Sequence, residues 1–115
     1  MENMNDFDWA ENMACAVTAA DKDGVIRYMN RRAREQYKKH GDLIGKSLYD
    51  CHGERAAGII RRLLTEGGTN AYTIEKEGVR KMIYQTACTD ADGRVEGIVA
   101  VSMVIPDGLP HYKWK

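Results

Sequence analysis

Residues 14–20 form a short apolar run, closed by Asp21-Lys22-Asp23-Gly24, a sequence with turn chemistry. Residues 25–29 are β-branched or aromatic in character and pair with that run as a hairpin. Asn30 stands where strand gives way to helix, a favourable N-cap position. Residues 31–40 are strong helix formers, with Ala33 and Tyr37 supplying an apolar face and Gly41 a stop. Residues 43–52 carry mixed signals and read as a connection. Residues 54–65 predict a second helix, with Ala56, Ile59, Ile60, Leu63 and Leu64 as its stripe and Gly67-Gly68 as its end.

Three strand-like segments follow, at 70–76, 80–89 and 94–105. Their joints are Glu77-Gly78 and the run Asp90-Ala91-Asp92-Gly93, again hairpin chemistry. Gly97 is placed to mark a bulge. The order is two strands, a helix, a short helical connection, a helix and three strands. Hairpin joints argue for one five-stranded antiparallel sheet, with the helices covering one face: an α+β fold.

The ends differ from this frame. The first thirteen residues hold four acids and no base, and Met4, Phe7, Ala10 and Met13 recur every third position. That pattern fits a short one-faced helix or a flexible lead-in. Pro106-Asp107-Gly108-Leu109-Pro110 stops the last strand. The expected division is a flanking segment 1–12, a domain 13–105 and a tail 106–115.

Composition narrows the function classes. The 115 residues carry 17 basic and 17 acidic side chains, so no whole-chain basic field points to nucleic acid. At 43% hydrophobic residues the chain is not core-poor. No apolar run is long enough to span a bilayer, and the acidic start lacks a secretory h-region; the expected location is the cytoplasm. Cys15, Cys51 and Cys88 are odd in number and widely spaced, which fits free thiols better than disulfides or zinc.

The run from Asp21 to Asn30, then Ala33, then Leu43-Ile44-Gly45-Lys46-Ser47-Leu48, resembles the opening of a PAS domain. Asp92-Gly93-Arg94-Val95-Glu96-Gly97-Ile98-Val99 looks like the turn into the last PAS strand. The segment from Gly45 to His52 is similar to an element of small, stand-alone bacterial PAS proteins. The resemblance implies a sensory module, with any ligand held between sheet and helices and the signal leaving through the other sheet face.

Candidate residues follow from both readings. Asn30 caps the first helix or touches a ligand at the cavity mouth. Cys51 and His52 admit a haem-ligating imidazole, a redox-sensitive thiol, a polar anchor for an organic ligand, or a structural histidine near a helix start. His52 is thus a weak candidate haem ligand, and the cofactor, if any, is left open. Expected cavity lining comprises Val17, Tyr28, Ile60, Leu64, Tyr72, Ile74, Met82, Tyr84, Val99, Val101 and Met103, with Tyr49, Tyr84, Gln85 and Thr86 as polar anchors. The same apolar residues also serve as plain core. The basic helix 31–40 reads as a solvated face. No phosphate-binding glycine loop, nucleophile elbow, defensible carboxylate pair or metal-spaced histidine pair argues for an enzyme or a metal site.

The expectation is a sensory PAS module that binds a small organic ligand or an unidentified signalling partner. It dimerises through Phe7, Trp9, Met13 and the uncovered sheet face. A ligand-free interaction scaffold is the alternative.

Overall fold

A computed structural model describes residues 8–50 and 52–115. The chain runs β1 (Ala16–Asp21), β2 (Ile26–Met29), α1 (Arg31–Gln36), 3-10 turns at Lys38–His40 and Leu48–Asp50, and α2 (Glu54–Glu66). It continues through β3 (Thr69–Lys76), β4 (Val79–Thr89) and β5 (Val95–Val104). All pairings are antiparallel in one sheet of order β2-β1-β5-β4-β3. The last strand therefore lies between the two hairpins and ties the ends of the domain together. The two helices sit on one side of the sheet.

The turns repeat one device. Asp21 Oδ1 accepts from the amides of Asp23 and Val25, and Asp90 Oδ1 accepts from those of Asp92 and Arg94. In each, the fourth residue is a glycine whose N–H returns to the first Asp carbonyl. The β3–β4 turn is tighter: Glu77 and Gly78 both have positive φ, 53° and 79°, so Lys76 faces Val79 and the register is set for the whole hairpin.

Gly97 does mark a bulge. Cys88 faces Gly97 but Thr89 faces Val95, leaving Glu96 extra. A Cβ at residue 97 would lie 2.3 Å from the Ala20 carbonyl oxygen, so only glycine lets β1 and β5 approach here.

The first helix is shorter than its sequence predicts. α1 ends at Gln36, and a 3-10 turn takes over to His40. Ala33 is the only buried residue of α1, too narrow a stripe to hold three turns against the sheet. Tyr37, expected on the apolar face, is exposed. α2 keeps its stripe but buries Ala57, Ile60 and Leu63 most deeply. Ile60 and Leu63 pack with Ala20, Ile26, Met29, Ala33, Leu43, Leu48 and Ile98 as the core. Burial of a side chain such as Ile60 contributes about 1.5–3 kcal/mol.

Candidate functional site

The helices do not press flat on the sheet. Between them lies a cavity of about 1060 Å³. Its floor is the inner sheet face: Thr18 on β1, Ala100 and Ser102 on β5, Ile83 and Gln85 on β4, Tyr72 and Ile74 on β3. Met29 of β2, opposite Thr18, extends this floor, and the roof includes Ile60 of α2, Leu43 and Leu48. Tyr37, His40, Lys46, Asp50 and His52 complete the wall. The loop that carries this wall is strapped to β2: Ile26 N–H donates to the Lys46 carbonyl, Gly45 N–H to that of Ile26, and Leu48 N–H to that of Gly24.

Polar groups are set into an otherwise apolar floor. Asn70 Nδ2 donates to Gln85 Oε1 at 2.9 Å, which turns the Gln85 side-chain NH2 into the free donor of the pair. His52 Nδ1 lies 2.8 Å from the Leu48 carbonyl. A carbonyl only accepts, so Nδ1 carries the proton and the neutral ring keeps its lone pair on Nε2.

Of the expected site residues, the cavity brings together His52, Ile60, Tyr72, Ile74, Gln85 and Val101. Val101 borders it between Ala100 and Ser102, although strand alternation turns its side chain to the other face. Tyr28, Met82 and Tyr84 do not line it. Tyr28 faces Ala19, Met82 faces Met103 and Tyr84 faces Val101, all on the outer sheet face. Val17, Val99, Met103 and Thr86 share that face, so they too leave the expected lining. Leu64 packs against the core from α2 without reaching the cavity. Tyr49 packs beside Gly24 and takes the Arg61 guanidinium over its ring at 5.2 Å. Cys51 and Phe7 lie outside the described residues.

Asn30 is fully buried and fully used. Its Oδ1 accepts from Val17 N–H at 2.9 Å and from Ala33 N–H at 3.0 Å. Its Nδ2 donates to the carbonyls of Ala10 and Cys15 at 2.9 and 2.8 Å. An Asn side chain has two donors and two acceptor sites, so nothing is left for a ligand. Asn30 is the cap of α1 and also the pin that joins the segment before β1 to the sheet.

That segment is held at further points. Arg31 N–H donates to the Glu11 carbonyl, and Arg34 grips the Glu11 carboxylate through both Nη atoms at 3.0 and 2.6 Å. The Arg34 guanidinium hydrogen-bonded to Glu11 holds that carboxyl below its ordinary value. Asp21 is likewise held low, chiefly by the Val25 amide. Burial pushes the Tyr28 phenol up, with the Asp8 and Glu11 carboxylates adding to the effect.

Sequence reasoning missed the loop wall at Tyr37, His40, Leu43 and Lys46, which has no periodicity to betray it. It left the two faces of β4 unassigned and drew candidates from both; of Met82, Tyr84, Gln85 and Thr86, Gln85 alone lies on the cavity side.

Residues 10–106 match the family described as the PAS fold. The chain belongs to the PAS family. Among solved structures, this PAS chain is similar to the PAS domain of the histidine kinase ThkA, at 20% identity and a TM-score of 0.63, covering 79% of this chain and 99% of that one. The PAS domain of BvgS from Bordetella pertussis is similar at 14% identity and a TM-score of 0.60, over 86% of this chain and 82% of that one. The Aer2 receptor of Vibrio cholerae, titled a dual PAS-heme oxygen sensor, is similar at 20% identity and a TM-score of 0.55, over 82% and 96%. At these identities the likeness shows the fold. No curated protein matches the chain. Among the described residues no helix is long and apolar enough to cross a membrane.

Proposed function

We propose that this PAS chain is a sensory module whose cavity takes a small organic molecule and whose output passes to a separate signalling protein. The observation that carries this reading is the cavity of about 1060 Å³ between sheet and helices. A packed core leaves few voids larger than a water molecule, whereas ligand sites run to roughly 300–1,000 Å³ with a few placed polar groups on apolar walls. Gln85, Thr18, Ser102 and His52 are such groups here. A ligand that bridges the floor and the Tyr37–Leu43 wall favours one packing of that wall, a shift of population that a partner can read. The test is Ala100→Trp, which fills the cavity from the middle of β5. Thermal shift over a metabolite library should find stabilising compounds for the wild type and none for the variant. Equal responses would overturn the reading.

The outer sheet face supports a second reading, an interaction scaffold that pairs with another copy of itself. Tyr84 and Met103 are 41% and 40% exposed there, with Met82, Val99 and Val101 beside them, and Trp9 is 66% exposed. A second copy would cover this apolar face. Light scattering of the wild type and of Tyr84→Lys/Met103→Lys tests it: a dimer that becomes a monomer supports it, and a wild-type monomer removes it.

A haem would find in His52 an imidazole on the cavity wall with Nε2 uncommitted. When bound, such a group would supply gas or redox sensing. The purified protein's Soret absorbance, lost in His52→Ala, would favour it over an organic ligand.

A further inference from the structure

A second, smaller cleft of about 280 Å³ opens beside the cavity, and the two share Ala16, Gln36 and Ser102 as common walls. The cleft adds two cations, Arg32 from α1 and Lys81 from β4. Neither forms an ion pair among the described residues. The acid of the cleft, Glu35, is already engaged by Arg31 Nη1 at 3.3 Å.

Lys81 is in an unusual place. Register sets it on the inner, helix-facing side of β4, between Ile74 on β3 and Val104 on β5, with Ile83 next along the same face. Lys81 is half-buried, its stem laid along the inner face and its ammonium without an ion pair among the described residues, so the charge is open to an anion in the cleft. The larger cavity has no such bias, since its walls carry one fixed charge of each sign, Lys46 and Asp50.

From this arrangement, and resting on the reading of the cavity as a small-molecule site, we propose the ligand class: an organic anion with an apolar body. The body lies between Ile83 and Ile98 on the floor and Ile60 on the roof. The anionic head, a carboxylate or similar group, leaves through the shared wall and meets Arg32 and Lys81. Gln36 and Ser102 at the junction provide hydrogen bonds to the same head. Two charge-assisted contacts at a partly exposed site favour the anion over a neutral analogue by about tenfold.

Matched probes test this: decanoate against 1-decanol, and 2-naphthylacetate against 2-naphthaleneethanol, titrated by calorimetry into the wild type, Arg32→Gln/Lys81→Met and Ala100→Trp. The acids should bind the wild type about tenfold tighter than the alcohols, with an advantage that shrinks as salt rises. Arg32→Gln/Lys81→Met should erase the advantage while leaving alcohol affinity unchanged, which also shows that the variant is folded. Ala100→Trp should bind neither. Acids and alcohols binding the wild type equally, both lost in Ala100→Trp, would overturn the anion proposal and leave the cavity reading standing. An acid preference that survives in Arg32→Gln/Lys81→Met would place the head elsewhere and overturn it too. Binding of neither class to a wild type that carries no co-purified molecule by native mass would overturn the proposal and the cavity reading together.

Discussion

Replacing Asn30 by alanine removes four hydrogen bonds at one point. The cap on α1 goes with the Ala33 contact, a loss of about 1 kcal/mol. The Val17 amide is then buried without a partner, at about 1–3 kcal/mol, while the Ala10 carbonyl keeps only the Met13 N–H. The sum is about 2–4 kcal/mol, set against a total of about 5–15 kcal/mol for a domain. In thermal unfolding followed by circular dichroism, the midpoint should fall by more than about 6 °C. Asn30→Asp sharpens the test. Its carboxylate keeps the acceptors for Val17 and Ala33 but turns an oxygen toward the Ala10 and Cys15 carbonyls. Burial raises its folded pKa, so its stability is greatest below the ordinary carboxyl pKa near 4 and is lost as pH rises through the folded value. Asn30→Asp should therefore regain stability in acid, unlike Asn30→Ala. A midpoint for Asn30→Ala within about 2 °C of wild type would refute the account of Asn30 as the pin.

Other consequences follow. Gly97→Ala sets a Cβ against the Ala20 carbonyl oxygen at 2.3 Å; since the three nearest atoms are all backbone, overpacking should cost about 1–3 kcal/mol or more in urea unfolding. The Glu11 carboxyl is held low in the fold, so its contribution is present above its ordinary pKa and is lost as pH falls through the depressed value. Hydrogen exchange below about pH 4 should thus show the Arg31 amide, which donates to the Glu11 carbonyl, opening before the sheet amides, and Glu11→Gln should open it at neutral pH. Surface-exposed Trp114 makes a neutral control: its substitution by alanine should leave the unfolding midpoint unchanged.

Much of the frame was legible because its punctuation is chemical. Asp21, Asp90, Gly78 and Gly97 each have a specific geometric task, and the sequence signals at those positions correspond to it. The α2 stripe was readable for the same reason, since Ile60 and Leu63 bury fully. The site was harder. On β4 the inner residues Lys81, Ile83, Gln85 and Ala87 are more polar than the outer Met82, Tyr84, Thr86 and Cys88. Choosing the apolar set as the lining therefore selects the wrong face. Hydrophobicity assigns faces only where one side packs against solid core; here the inner side faces a cavity with placed polar groups. Asn30 was legible as a cap, whereas its bonds to Ala10 and Cys15 depend on a chain path that no local pattern encodes.

The central claim is that the space between sheet and helices holds a small molecule. Native mass spectrometry tests it most directly, on the wild type and Ala100→Trp, each incubated with a small-molecule extract of cells. The account predicts a mass excess on the wild type that disappears on denaturation and is absent from the variant. A bare chain mass for both proteins, or the same excess on both, would contradict it.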